Sequence, residues 1–317
     1  ARPVFDKFAL RMGALLERNR LNDQALLAYQ HTDQPPSPER RVRLLHKLGR
    51  LPEALALCER MRAGPQNADE KYFATDFMAR LEAELGREPE QRGARLPETL
   101  RTPRKSTTLQ LQASEAIRVD AGFRHRVEQG VIHHLTERGY RAVHSENYLW
   151  CGFCGLLLWD IIFDEDQQAI HHPLQRAPSD LHTPRFLEKR QTQILDRLKI
   201  LHRREECIQL LQRTHAEKYG MGNPLVGWHE SLLDLVMVCY QKIQPAQLER
   251  LVLEMARNLR ENTRGFPDLF AWNDEEYCLI EVKSPNDHLS AQQLYWLHFF
   301  HEIGIPAKVL RVEFMSQ

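Results

Sequence analysis

The stretch Gly265-Phe266-Pro267-Asp268-Leu269-Phe270-Ala271-Trp272-Asn273-Asp274-Glu275-Glu276-Tyr277-Cys278-Leu279-Ile280-Glu281-Val282-Lys283 decides the fold class. Two short, apolar, β-prone runs at 269–272 and 277–282 flank the polar turn Asn273-Asp274-Glu275-Glu276, which is the pattern of a hairpin. Side chains alternate across a strand, so Glu281 and Lys283 share one face while Ile280 and Val282 point into the core from the other. The hairpin brings Asp268 beside them. Downstream, a helix is expected over 290–303 and a third strand over 307–312. Strand–strand–helix–strand is a compact α/β unit.

Two carboxylates and an amine at one strand end have a definite chemical use. Hard divalent cations such as Mg²⁺ or Mn²⁺ take carboxylate, carbonyl and water oxygens. A phosphodiester is anionic and resists attack by water, and one or two such ions lower that barrier. Asp268 and Glu281 are the candidate metal ligands, with the Val282 carbonyl as a further one. Lys283 would orient the attacking water or stabilise developing negative charge. A solvated ion pair at a strand end gives the same three letters. Against that stands an almost wholly apolar strand running into Ser284-Pro285-Asn286-Asp287, a loop able to wall a cleft. Gln293 reads first as the N3 residue of a capping box with Ser290, and second as support for the active site.

Upstream of the hairpin the chain reads as helical. Over 1–85, Arg20-Leu21-Asn22-Asp23-Gln24-Ala25-Leu26 and Arg50-Leu51-Pro52-Glu53-Ala54-Leu55 are alike, each a polar turn entering an apolar helix. Such pairs resemble tetratricopeptide units, although an irregular helical domain fits equally. A segment at 86–108, rich in Pro, Gly and charge and carrying Arg101, Arg104 and Lys105, reads as a basic linker. The expected domains are therefore 1–112, all-helical, and 113–317. Residues 113–139 and 178–211 are expected to be helical.

Composition constrains less. Lys plus Arg equals Asp plus Glu at 43 each, so any grip on a polyanion needs cations gathered on one face. The six cysteines are scattered in apolar stretches, which suits buried free thiols in a reducing compartment. The lone Cys151–Cys154 pair lacks the context of a redox or zinc site. His133-His134 and His171-His172 have no metal-site spacing. No apolar run reaches the length of a membrane-spanning helix, and no signal-peptide pattern is present. The chain opens at Ala1 within what reads as a helix under way, so a longer parent chain is expected.

Phe266-Pro267-Asp268-Leu269, followed by Glu281-Val282-Lys283-Ser284-Pro285-Asn286-Asp287-His288-Leu289-Ser290 and Gln293, resembles the VRR-NUC module of the PD-(D/E)xK nucleases. Cys154-Gly155-Leu156-Leu157-Leu158-Trp159-Asp160-Ile161-Ile162-Phe163 narrows the resemblance to the Fanconi-associated nuclease family. The resemblance implies a restriction-endonuclease-like α/β nuclease domain with its catalytic core at about 205–315, preceded by a tetratricopeptide-like domain. It also implies that the family's amino-terminal DNA-binding region is missing here.

The implied activity is metal-dependent cleavage of DNA near 5′ flaps and from 5′ ends, in interstrand-crosslink repair, inside the cell and without a membrane. The resemblance also implies Glu146 as a ligand, a position that spacing alone does not single out. Relatives more often have glycine after this glutamate, where this chain has Asn147. Trp159 reads as core and Asp160 as a structural cap or bridge. For DNA contact the candidates are Arg264 and Asn262, just before Asp268, and Arg185, Lys189 and Arg190, between the two halves of the site. Two other readings remain at this stage: a DNA-binding or protein-interaction scaffold on an inactive nuclease fold, and a junction-resolving nuclease.

Overall fold

The structure, a computed structural model, describes residues 2–86, 105–172, 175–183 and 185–315. Most of the basic linker, including Arg101 and Arg104, falls outside them. The chain divides into two compact units, Ala1–Gln112 and Ala113–Gln317.

The first unit holds α1 (Arg2–Arg18), α2 (Asn22–Gln30), α3 (Ser37–Lys47), α4 (Leu51–Ala63) and α5 (Ala68–Glu84), each packed on the next. The breaks lie where proline and glycine cluster. Pro38 and Pro52 occupy first-turn positions of α3 and α4, where a missing N–H leaves no bond unmade. Asn67 caps α5 by accepting the Glu70 N–H at 2.8 Å. Ala25, Leu26, Tyr29, Val42, Leu55, Cys58 and Leu81 form the core of this unit. A sixth helix, α6 (Ser106–Ala113), is tied at its start to Asp76 through the Ser106 N–H and hydroxyl, at 3.0 and 2.6 Å.

The second unit is built on a five-stranded mixed sheet of β1 (Glu115–Val119), β2 (Arg141–His144), β3 (Leu269–Trp272), β4 (Tyr277–Lys283) and β5 (Ala307–Phe314), in the order β1-β5-β4-β3-β2. The hairpin β3–β4 is antiparallel, with Leu269 opposite Ile280, and β2 extends it antiparallel on the outer side. Strand β5 lies parallel to both β4 and β1. The helices are α7 (Val127–Thr136), α8 (Glu146–Leu157), the short α9 (Trp159–Ile162), α10 (Arg185–Leu198), α11 (Arg204–Lys218), α12 (Leu232–Lys242), α13 (Pro245–Arg257) and α14 (Ala291–Glu302).

Both faces of the sheet are covered. Ile117, Leu269, Ala271, Ile280, Val282, Leu310 and Val312 face α7, whose Val131 and Leu135 close that layer. Phe270 and Leu279 face a larger core that includes Trp150, Leu248, Trp296 and Phe300. Alternation therefore puts Glu281 and Lys283 on the Leu279 side, toward α14.

Two expectations need correction. Residues 113–139 are not one helix, because 115–119 form an edge strand that pairs with β5 far along the chain, Ile117 opposite Val312. The 178–211 region is not continuous either: α10 gives way to a 3-10 turn at Lys199–His202 before α11 begins. Other readings match the packing. Trp159 is buried, and Asp160 takes a two-pronged bond from Arg197 at 2.7 and 2.5 Å. The six cysteines are free, and Cys151 and Cys154 are buried.

Candidate active site

Asp268 sits at the mouth of β3 and holds two elements together. Its backbone oxygen accepts the Ser145 and Glu146 N–H groups at 2.9 and 3.3 Å, which fixes the start of α8 beside the hairpin. Its carboxylate Oδ2 accepts the Val282 N–H at 2.7 Å, spanning from β3 to the strand that carries the other acid.

Glu281 and Lys283 are 1% and 7% exposed, so they are not a solvated pair. The Lys283 Nζ lies 2.8 Å from Glu281 Oε1. Gln293, on the first turn of α14, joins them: its Nε2 donates to Glu281 Oε1 at 2.5 Å, and its Oε1 accepts from Lys283 Nζ at 3.1 Å. The same Oε1 takes the Ser290 N–H at 2.9 Å, closing the capping box. One side chain therefore closes the capping box and contacts both Glu281 and Lys283.

Glu146 opens α8 with φ +27°. This left-handed backbone is strained for any residue with a Cβ. Its side chain is exposed, and the Asn147 amide donates to its Oε1 at 3.2 Å. Asn147 thus steadies the glutamate before it.

Burial dominates the electrostatics of the two enclosed acids, and repulsion from neighbouring carboxylates adds to it. Burial pushes Asp268 up to about 6, opposed by the Val282 N–H and the Lys283 ammonium and reinforced by Glu128 and Glu146. Burial pushes Glu281 up to about 8, reinforced by the charge on Asp268 and opposed by Lys283. Glu128, on α7, was not anticipated. It lies within a helix that packs on the sheet from the far side, and its sequence neighbourhood carries no signal for it.

Among the described residues, no three acid, histidine or cysteine side chains close on a common point as a ready-made metal cage. The donor set nonetheless suits a hard cation. Glu281 Oε2 is buried with no hydrogen-bond partner, a position that normally demands one. Two carboxylates raised above their usual range, chiefly by burial and further by neighbouring acids, gain from any positive ion placed between them. Asp268, Glu281 and Glu146, with the Val282 carbonyl, are the groups able to hold it.

The candidate DNA-contact residues fare differently. Arg264 is exposed and ion-paired with Glu261. Its carbonyl accepts the Trp296 indole N–H at 2.9 Å. Asn262 is buried and donates to the Glu254 carbonyl at 2.7 Å, so its amide is committed to structure. Arg190 is fully enclosed, bonded to the Ile161 carbonyl and to Asp180, both at 3.0 Å. It forms an internal ion pair and offers no surface to DNA. Arg185 is exposed, and Lys189, also exposed, reaches the Gln167 carbonyl at 3.0 Å.

Residues 203–314 match the VRR-NUC domain. The chain is 29% identical over 304 residues to the Fanconi-associated nuclease 1 homolog of Pseudomonas aeruginosa, covering 93% of this chain and 51% of that protein. It is 31% identical over 197 residues to human Fanconi-associated nuclease 1, covering 59% of this chain and 19% of the relative. A crystal structure of paFAN1 bound to DNA with a 2-nt 5′ flap and a gap superposes with a TM-score of 0.78 at 26% identity, over 99% of this chain and 55% of that one. The chain thus spans about half the length of the bacterial relative it matches.

Proposed function

We propose that this chain, which carries a VRR-NUC domain and is similar along nearly its whole length to Fanconi-associated nuclease 1 homologues, is a metal-dependent DNA nuclease. It hydrolyses phosphodiester bonds near 5′ flaps and from 5′ ends, as a repair enzyme acting on interstrand crosslinks within the cell. The observation that carries the reading is the buried Glu281–Lys283–Gln293 cluster with Asp268 tied across to Val282. Burying an acid and an amine is unfavourable unless they are paired, and a fold with no chemistry to perform could fill the site with apolar side chains. The helical unit preceding it is read as tetratricopeptide-like. Among the described residues no helix is long and apolar enough to cross a membrane.

In this reading a bound Mg²⁺ or Mn²⁺, one or two per site, supplies activated water and screening of phosphate charge. The remaining work belongs to the chain. Asp268, Glu281 and Glu146 would hold the ion through carboxylate oxygens. Lys283 presents its ammonium to the negative charge that develops on the phosphate oxygens. Gln293 holds Glu281 and Lys283 in one orientation, so neither side chain must be ordered when substrate arrives. Arg264, Arg185 and Lys189 remain the surface cations available to phosphates.

The open spacing of the acids favours a second reading, a DNA-binding scaffold with an inactive site. A panel of labelled 5′-flap, nicked, junction and single-stranded substrates, incubated with Mn²⁺, separates them. The nuclease reading expects cleavage of the flap, lost in Asp268→Ala. Tight binding of an intact flap by wild-type protein would establish the scaffold, and preferential junction cleavage would establish a resolving enzyme.

A further inference from the structure

Tyr219 and Met221 are 53% and 50% exposed on the segment between α11 and α12. Exposed apolar residues are ordinary when scattered. Tyr219 instead ends a continuous aromatic series that passes through the buried Trp159. Phe163 packs on the buried Trp159 with ring centroids 5.4 Å apart, and Trp159 packs on Trp228 at 5.9 Å. Trp228 then meets Tyr219 at 5.3 Å, with His215 against both at 5.6 and 5.3 Å.

The segment is braced as well as packed. The Trp228 indole N–H donates to the Met221 carbonyl at 2.7 Å, and Asn223 Oδ1 accepts the Leu225 N–H at 2.9 Å. Leu225 and Val226 are buried against Gly155, where a Cβ would come within 2.5 Å of Val226. Packed against Trp228 and His215, the exposed Tyr219 ring has less rotamer freedom to lose when a ligand stacks on it.

The segment also packs on α8, the helix that Glu146 opens. Tyr148, two residues after Glu146, packs edge-on to His229 with centroids 6.3 Å apart, and Gly227 lies against the same tyrosine ring. Cations accompany the rings. Arg176 runs beside Gly222, 3.9 Å from where its Cβ would be. Lys218 directly precedes Tyr219, and among the described residues neither Arg176 nor Lys218 pairs with an acid. Exposed aromatic faces with unneutralised cations alongside are the chemistry that binds unpaired nucleobases on a polyanionic backbone.

We infer that residues 219–229 form a stacking platform for unpaired bases of the DNA strand that passes Glu146. Tyr219 is its exposed face, backed by the half-buried Trp228, and Arg176 and Lys218 are its phosphate contacts. The inference rests on the nuclease reading for the identity of the polymer and assigns which part of that polymer the protein grips.

The test is fluorescence anisotropy on the full chain, without divalent metal so that nothing is cut. The probes are a fully paired duplex and the same duplex with an unpaired 5′ segment of about eight nucleotides. Tyr219→Ala should weaken binding of the segment-bearing DNA by about tenfold, since stacking on one ring is worth roughly that, and change duplex binding by less than about twofold. Tyr219→Phe, which keeps the ring, should match wild type. Abasic sites in the unpaired segment should erase the wild-type advantage. Equal losses on both DNAs, no loss in Tyr219→Ala, indifference to abasic sites, or no wild-type binding to either DNA would each overturn the platform. Cleavage with Mn²⁺, run in parallel on wild type, reports separately on the nuclease reading: a protein that cuts the flap while Tyr219→Ala binds normally sinks only the platform.

Discussion

Glu281 and Lys283, two residues apart on β4, pair at 2.8 Å in a site where both are almost fully enclosed, and one glutamine side chain contacts them both. The enclosed carboxylate keeps one oxygen without a partner. This arrangement raises the Glu281 carboxyl and leaves one of its oxygens free to meet a cation.

Stability of the metal-free protein should fall as pH rises through the site's range. Burial raises Glu281 from its usual 4.5 to about 8. Between those values the folded state holds a proton that the unfolded state has released, so unfolding is favoured as pH climbs. The stabilising contribution is complete below 4.5 and gone above 8. Asp268, raised to about 6, acts in the same direction over a lower window. Thermal melts in chelator from pH 5 to pH 8, each value within that range, should show a declining Tm, with a shallower decline in Glu281→Gln. An equal decline in wild type and variant would remove Glu281 as the cause.

Lys283→Met removes the one ammonium that stabilises ionised Glu281. The carboxyl pKa should rise further, so the variant keeps nearly normal stability at pH 5 and loses progressively more than wild type as pH rises. Cleavage should drop by about a hundredfold or more, as for loss of a charge-stabilising donor. A variant that cuts at the wild-type rate excludes Lys283 from the chemistry.

Glu146 holds a left-handed backbone, a strain of order 1–3 kcal/mol for a residue with a side chain. Glu146→Gly should relieve most of this, leaving the variant more stable than Glu146→Ala by about 1 kcal/mol in urea unfolding. Both variants should lose cleavage. If glycine gives no advantage over alanine, the strain is absent in solution.

Arg190 and Asp180 form an enclosed pair at 3.0 Å. Arg190→Met leaves Asp180 without its principal partner and should cost about 3–5 kcal/mol. Arg185→Ala, on the exposed side of the same helix, should change stability by less than about 0.5 kcal/mol. Comparable effects of the two substitutions would contradict the internal role of Arg190.

The parts that sequence made legible are those whose partners are close along the chain. The hairpin from Leu269 to Lys283, α14 and β5 follow one another, and alternation alone put Glu281 and Lys283 on a shared face. Strand β1 was not legible because the partner of Ile117 is Val312, and a five-residue strand bearing Glu115 and Arg118 has little periodicity of its own. The enclosure of Arg190 is not legible because an arginine in a charge-rich helix looks solvent-facing, and only packing reveals Phe186 and Asp180 around it. Glu146 entered through family resemblance alone, since nothing local distinguishes a glutamate at a helix start that will meet Asp268. Glu128 had no signal at all, because its effect on Asp268 crosses from α7 to the sheet.

The central claim is that Asp268, Glu281 and Glu146 share a divalent ion. Calorimetric titration of metal-free wild type, Asp268→Asn and Glu281→Gln with Mn²⁺ at neutral pH tests it most directly. The account predicts saturable binding by wild type and affinity lower by about tenfold or more in each variant. Absence of binding heat in a folded wild-type protein, or variants that bind as tightly as wild type, would contradict it.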